Sequence, residues 1–295
     1  MGRVLPLLAL SAALGWVATA SGEQQRLGGL ILYWSDDPIP QIWAIRPDGS
    51  NRHRIFRTRQ NSKRPRLSPD RAWVAFDGTP PGKPPLSEFR IQLVRADGTG
   101  RRTITHSEDW EIDAQWLPDG SRLSFLRMPA GGQEWTKSEV WTIRPDGTDP
   151  RRILLGSSAR WSPDGAKLAH SAPTLESDGD LFVANRDGTD PRRLTTTHAI
   201  ESPAAWSPDG KKILFTRYGE GTQAYVFVID ADGTHLKRLT RAGTDEAGAW
   251  SPDGGTILFT SQRAGIRQLY LMNADGTHQR LLSRKPFRAY EPSWR

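Results

Sequence analysis

The chain of 295 residues contains no cysteine. Disulfide staples, thiolate metal sites, cysteine nucleophiles and lipidation through sulfur are therefore excluded. No uninterrupted apolar run reaches the ~20 residues a membrane-crossing helix needs, so a polytopic membrane protein is excluded as well. Long Ala/Glu/Lys/Leu blocks are scarce, which argues against an all-α fold. There is no Asn-x-Ser/Thr acceptor, no Gly-x-Ser-x-Gly elbow and no His-Glu-x-x-His pair. The stretch from Gly78 to Lys83 imitates a phosphate loop but is one residue short. Its two prolines remove amide donors, and Pro84 stands where Ser or Thr is required. What the chain does have is 28 Gly and 22 Pro beside 12 Trp and 9 Phe. Turn formers combined with large aromatics predict many short strands joined by tight turns rather than disorder. The net charge of +7 permits an anionic partner without requiring one.

Residues 1–20 read as an address. Arg3 supplies a positive start, Val4 to Val17 an apolar stretch, and Ala18-Thr19-Ala20 a small-residue cleavage site. The expectation is a secretory signal peptide cut after Ala20, a mature chain in the periplasm or outside the cell, and no transmembrane span after cleavage.

A repeat fills the remainder. Six segments of one pattern begin at Ile42, Ile91, Val140, Leu181, Val226 and Leu269, with turn aspartates Asp48, Asp97, Asp146, Asp187, Asp232 and Asp275. A second motif lies between them: Trp-Leu/Ser-Pro-Asp-Gly at Trp116, Trp161, Trp206 and Trp250, with a degenerate copy from Leu67. Both motifs put Asp-Gly between β-type runs, where Gly supplies the positive φ of a tight hairpin. Each unit of about 45 residues is thus two hairpins, strands A to D in meander order, which is a propeller blade. The chain ends complete the count. Glu291 to Arg295 starts a strand A and stops, whereas Leu30 to Trp34 matches strand B. The prediction is an all-β, six-bladed propeller over 21–295, its repeats beginning near residue 28. Its last blade is closed by pairing N-terminal strands with the C-terminal strand.

The paired pattern, Asp-Gly-Thr-x-x-Arg-Arg-Leu-Thr followed by Trp-Ser-Pro-Asp-Gly and a short apolar strand, resembles the TolB-type propeller repeat. The resemblance covers roughly residues 28–295 and does not extend to the α/β domain that precedes the propeller in TolB. It implies a six-bladed propeller, an exported protein and a binding role.

The tight turns share one face of the disc, and the D–A and B–C connections share the other. The turn aspartates read as structural, each bonding nearby amides. The Trp series on strand A reads as packing between blades. Basic pairs on strand D, such as Arg192 and Arg193, deter edge-to-edge aggregation or form a basic perimeter for an anionic surface. Nucleic acid is not the expected partner, because strand D lacks an aromatic stacking platform. The D–A connections converge on the channel mouth, where propellers commonly bind. Glu111, Asp113, Glu201, Asp245, Glu246 and Glu291 recur there, with His106 and His198 two blades apart. Such a ring would bind a cation, an amine or a basic segment of a partner, or serve only as solvated loop charge. Lys63, Arg64 and Arg160 come from the other connections. No short ligand spacing supports a metal site, and no cofactor is expected. Trp135, on a long B–C loop, is a candidate contact anchor.

The reading that follows is an exported, monomeric scaffold binding a protein or an envelope polymer. The alternative is a hydrolase or lyase using funnel carboxylates and histidines, with a divalent metal.

Overall fold

The computed structural model describes residues 28–36, 38–84, 87–130, 135–175, 177–282 and 287–295. The predicted leader lies outside these residues, as does the side chain of Trp135. Twenty-four strands form six antiparallel four-stranded sheets. Blade 1 holds β1 (Ile31–Ser35), β2 (Gln41–Ile45) and β3 (His53–Arg54), with β24 (Tyr290–Trp294) paired to β1. Blade 2 is β4 (Ser62–Leu67), β5 (Trp73–Gly78), β6 (Arg90–Arg95) and β7 (Arg102–Thr103). Blade 3 is β8 (Trp110–Trp116), β9 (Leu123–Met128), β10 (Glu139–Ile143) and β11 (Arg151–Leu155). Blade 4 is β12 (Ser157–Trp161), β13 (Lys167–Ala172), β14 (Asp180–Asn185) and β15 (Arg192–Arg193). Blade 5 is β16 (Ile200–Trp206), β17 (Lys212–Tyr218), β18 (Ala224–Asp230) and β19 (Lys237–Arg238). Blade 6 is β20 (Asp245–Trp250), β21 (Thr256–Ser261), β22 (Gln268–Asn273) and β23 (Arg280–Leu281). Among the described residues no helix is long and apolar enough to cross a membrane.

The turn chemistry is as local as the sequence implies. In the Asp-Gly-Thr turns the Thr99 hydroxyl and amide both donate to Asp97, and hold its carboxyl below the usual range. The glycines of these turns have φ between +81° and +89°. Their second constraint is closeness. A Cβ on Gly147, Gly188 or Gly276 would press on the main-chain carbonyl of Ile104, Ile153 or Leu239, each on or just past the outer strand of the preceding blade. Gly therefore sets blade spacing as well as turn type.

The core is divided into six apolar clusters, one at each seam between neighbouring blades. In five blades a Phe or Tyr on the second strand fills its seam and is fully buried: Tyr33, Phe76, Phe125, Phe215 and Phe259. Three of the strand A tryptophans stitch seams by hydrogen bonds, and a fourth, Trp294, ties the two chain ends within blade 1. Nε1 of Trp116 donates to the carbonyl of Arg66, that of Trp206 to Arg160 and that of Trp294 to Gly28, while Trp161 donates to Ser124 Oγ. The outer basic residues are also engaged. Arg52 and Arg54 lie over Trp43, Arg102 over Trp73 and Arg238 over Tyr225. Arg192 and Lys237 donate to main-chain carbonyls of the next blade's turn. Stacking and stitching thus account for much of the basic perimeter.

Candidate functional site: the central channel

Each first strand carries a β-bulge where it meets the second strand. A bulge re-aims side chains. In four blades the bulged position is held by a non-glycine residue with positive φ: Arg64 (49°), Asp113 (55°), Ser158 (53°) and Glu291 (44°). All four line the channel. In blade 5 the equivalent residue is Pro203, whose ring forbids that conformation, and in blade 6 it is Ala247.

These residues build one ionic network across four blades. Arg64 lies 3.0 Å from both Asp77 and Glu291. Asp113 lies 2.8 Å from Arg160 and 3.9 Å from Arg66. Its main-chain N–H donates to Asp77. Burial pushes the Asp77 carboxyl up to about 6 against the pull of Arg64. Asp113 is also penalised by burial, yet Arg160 and Arg66 hold it below the usual carboxylate range. Burial and the neighbouring Arg160 press Arg66 down to about 10. Removing one partner of such a buried set costs about 3–5 kcal/mol, because the other charge is stranded.

An aromatic ladder flanks the network at the mouth. Trp34 stacks on Tyr290 at 4.2 Å and donates Nε1 to Glu291. Lys63 lies 5.0 Å from the Trp34 ring and 5.5 Å from Phe89, and Arg267 lies 5.7 Å from Tyr290. Burial, reinforced by Arg64, lowers the Lys63 pKa. Glu246 pairs with Arg267 at 2.6 Å.

The candidate residues therefore divide. Asp113, Glu246 and Glu291 line the channel. Glu111, Glu201 and Asp245 are fully buried in the blades and pair with Arg127, Arg217 and Arg263 on or just beyond the second strand. Those guanidiniums in turn lie over Trp141, Phe227 and Tyr270 of the third strand. The recurrence of acids before strand A thus includes an internal acid–arginine–aromatic ladder, not only a mouth ring. Its sequence signal is the shared 16-residue spacing of Glu111 to Arg127 and Glu201 to Arg217. His106 and His198 are exposed on connections to different blades. Among the described residues no group of three or more His, Asp or Glu is placed to hold a metal. Arg66, Asp77 and Arg267 were not singled out as site residues by sequence, because bulges and neighbouring blades bring them in.

A family model described as the TolB beta propeller domain matches residues 86–225, and one described as the Tricorn protease N-terminal beta propeller domain matches residues 171–287. No curated protein matches the chain in sequence. Similar solved structures include TolB from Acinetobacter baumannii (TM-score 0.75, 20% identity, 90% of this chain and 66% of that one). They also include a putative TolB from Agrobacterium tumefaciens (0.67, 18%, 89% and 90%) and an oligogalacturonate lyase in complex with manganese (0.58, 15%, 87% and 74%). At these identities the likeness is one of fold. The chain is a six-bladed β-propeller whose residues 86–225 match the TolB propeller model.

Proposed function

We propose that this propeller is an exported, TolB-like scaffold, matured by removal of residues 1–20, that docks a protein or an envelope polymer at the funnel mouth. The periplasm is the compartment that best fits the leader and the TolB-type repeats. The observation that carries the docking reading is the mouth itself. Half-buried aromatic rings, Trp34 and Tyr290, are interleaved there with Lys63, Arg267, Glu246 and Glu291, drawn from three neighbouring blades. Aromatic and arginine anchors set among paired charges are the composition of a protein-contact surface. The hydrolase or lyase alternative has less support. Its histidines stand apart from the network, and the channel carboxylates are held by arginines.

The test is affinity capture from an envelope extract of the source organism, with wild type and a Lys63→Gln/Glu246→Gln variant of equal melting temperature. A partner held by the wild type and lost by the variant is the expected result. No partner, or one held equally by both, contradicts docking at the mouth.

A further inference from the structure

On the face opposite the funnel the channel opens into a cup of about 460 Å³. That is the size of a small-molecule pocket, and every blade contributes to its wall. The wall is made by Trp116, Trp161, Trp206, Trp250 and Trp294 with the prolines of the Ser-Pro-Asp-Gly turns. Arg66 and Arg160 also line it.

What sets this cup apart from ordinary seam packing is the polarisation of the channel charges. Toward the funnel, Arg64 is shared by two carboxylates, Asp77 and Glu291. Toward the cup the ratio is reversed, and one carboxylate, Asp113, serves both Arg66 and Arg160. The other acceptors of these arginines are neutral: Gln115 Oε1 and the carbonyls of Pro65, Glu291, Ala159 and Ala204. The network is neutral as a whole, with its positive end at the cup. Both guanidiniums are largely buried, so that end acts in a weakly screened setting. Nη2 of Arg160 makes no hydrogen bond among the described residues, and Nη2 of Arg66 has only the 3.9 Å approach to Asp113.

We propose that this cup binds a small carboxylate carrying a flat apolar body, with the carboxylate at Arg66 and Arg160 and the body against the tryptophan–proline wall. The local excess of guanidinium over carboxylate at this end, to which Arg295 of the lining adds, suits an anion. The planar guanidinium fork suits a carboxylate. This site is separate from the funnel and stands or falls independently of the docking reading.

The test is calorimetric titration of the purified protein with 2-naphthoate, with the uncharged 2-naphthalenemethanol, and with acetate, which lacks the apolar body. The expected result is one saturable site for naphthoate, with the alcohol and acetate each weaker by about tenfold or more. Arg66→Gln leaves the Asp113–Arg160 pair in place and is expected to abolish the preference for naphthoate over the alcohol. Equal binding of naphthoate and the alcohol, or no saturable binding, overturns the proposal. So does naphthoate binding lost on Lys63→Gln in the funnel but unchanged in Arg66→Gln. If Arg66→Gln does not fold, the wild-type ligand series decides the matter.

Discussion

Blades 1 and 4 face each other across the ring, share one frame, and are built to opposite standards. Blade 1 draws its strands from both ends of the chain, and its closure is noncovalent. It is cross-linked repeatedly. Tyr33 fills the seam and accepts a 2.6 Å hydrogen bond from Arg52, Trp34 stacks on Tyr290, and Glu291 joins Arg64. Blade 4 is joined to blade 3 through Gly156 alone, which lies between β11 and β12. At the position of Tyr33 it has His170, buried, with no hydrogen bond to either ring nitrogen. Burial presses its pKa down to about 4. Its bulge residue is the neutral Ser158, and Leu155, at the end of β11 where blade 3 hands over to it, is 57% exposed. The lesson is that covalent continuity relieves a blade of the need for strong seams. Where the chain does not hold the ring together, aromatic stacking and buried ion pairs must do so.

The largest expected effect is at the clasp. Deleting Tyr290 to Arg295 strips β1 of its partner, and the cooperative melt of the propeller should be lost in calorimetry. Trp34→Ala removes the stack and the bond to Glu291, and should cost about 3–5 kcal/mol by denaturant titration. Asp113→Ala strands Arg66 and Arg160 and should cost a similar ~3–5 kcal/mol.

The opposite sign is expected across the ring. His170→Phe restores the aromatic that other blades use, and should stabilise by about 1–3 kcal/mol. It should also change the acid limb. The His170 pKa is depressed in the fold, so its contribution is present above pH 6.5 and is lost as pH falls toward 4. The loss across that window is about 3 kcal/mol. Asp77, pushed up to about 6, works the other way between its ordinary value and 6. The difference between wild-type and His170→Phe melting curves therefore isolates the histidine. A parallel pair of pH profiles would remove His170 from the account. The smallest effect belongs to Leu155→Lys, expected within about 0.5 kcal/mol because the side chain is already in water.

The fold was legible because its signals are local. Asp-Gly turns, alternating strands and the split between Leu30–Trp34 and Glu291–Arg295 define blades and closure without reference to distant contacts. The channel was legible only in part. Glu291 and Asp113 reach it through bulges that no propensity marks, and Arg66 and Asp77 meet them only after blades pack. Glu111 and Glu201 look identical to mouth residues until their partners 16 residues later are placed opposite them in register. His170 could have been found by aligning the second strands, where it alone breaks a row of Phe and Tyr.

The same asymmetry bears on function. The mouth is densely charged and aromatic on blades 1, 2 and 6, whereas on blades 4 and 5 Ser158, Ser202, Pro203 and Tyr218 line the channel and Arg160 is the charge that joins them. The most direct measurement is the affinity of the captured envelope partner for two variants, Lys63→Glu/Glu246→Lys on the charged half and Ser158→Ala/Ser202→Ala on the serine-lined half. The account predicts a loss of about tenfold or more for the first and little change for the second. Equal affinities, or a loss confined to the serine variant, would contradict it.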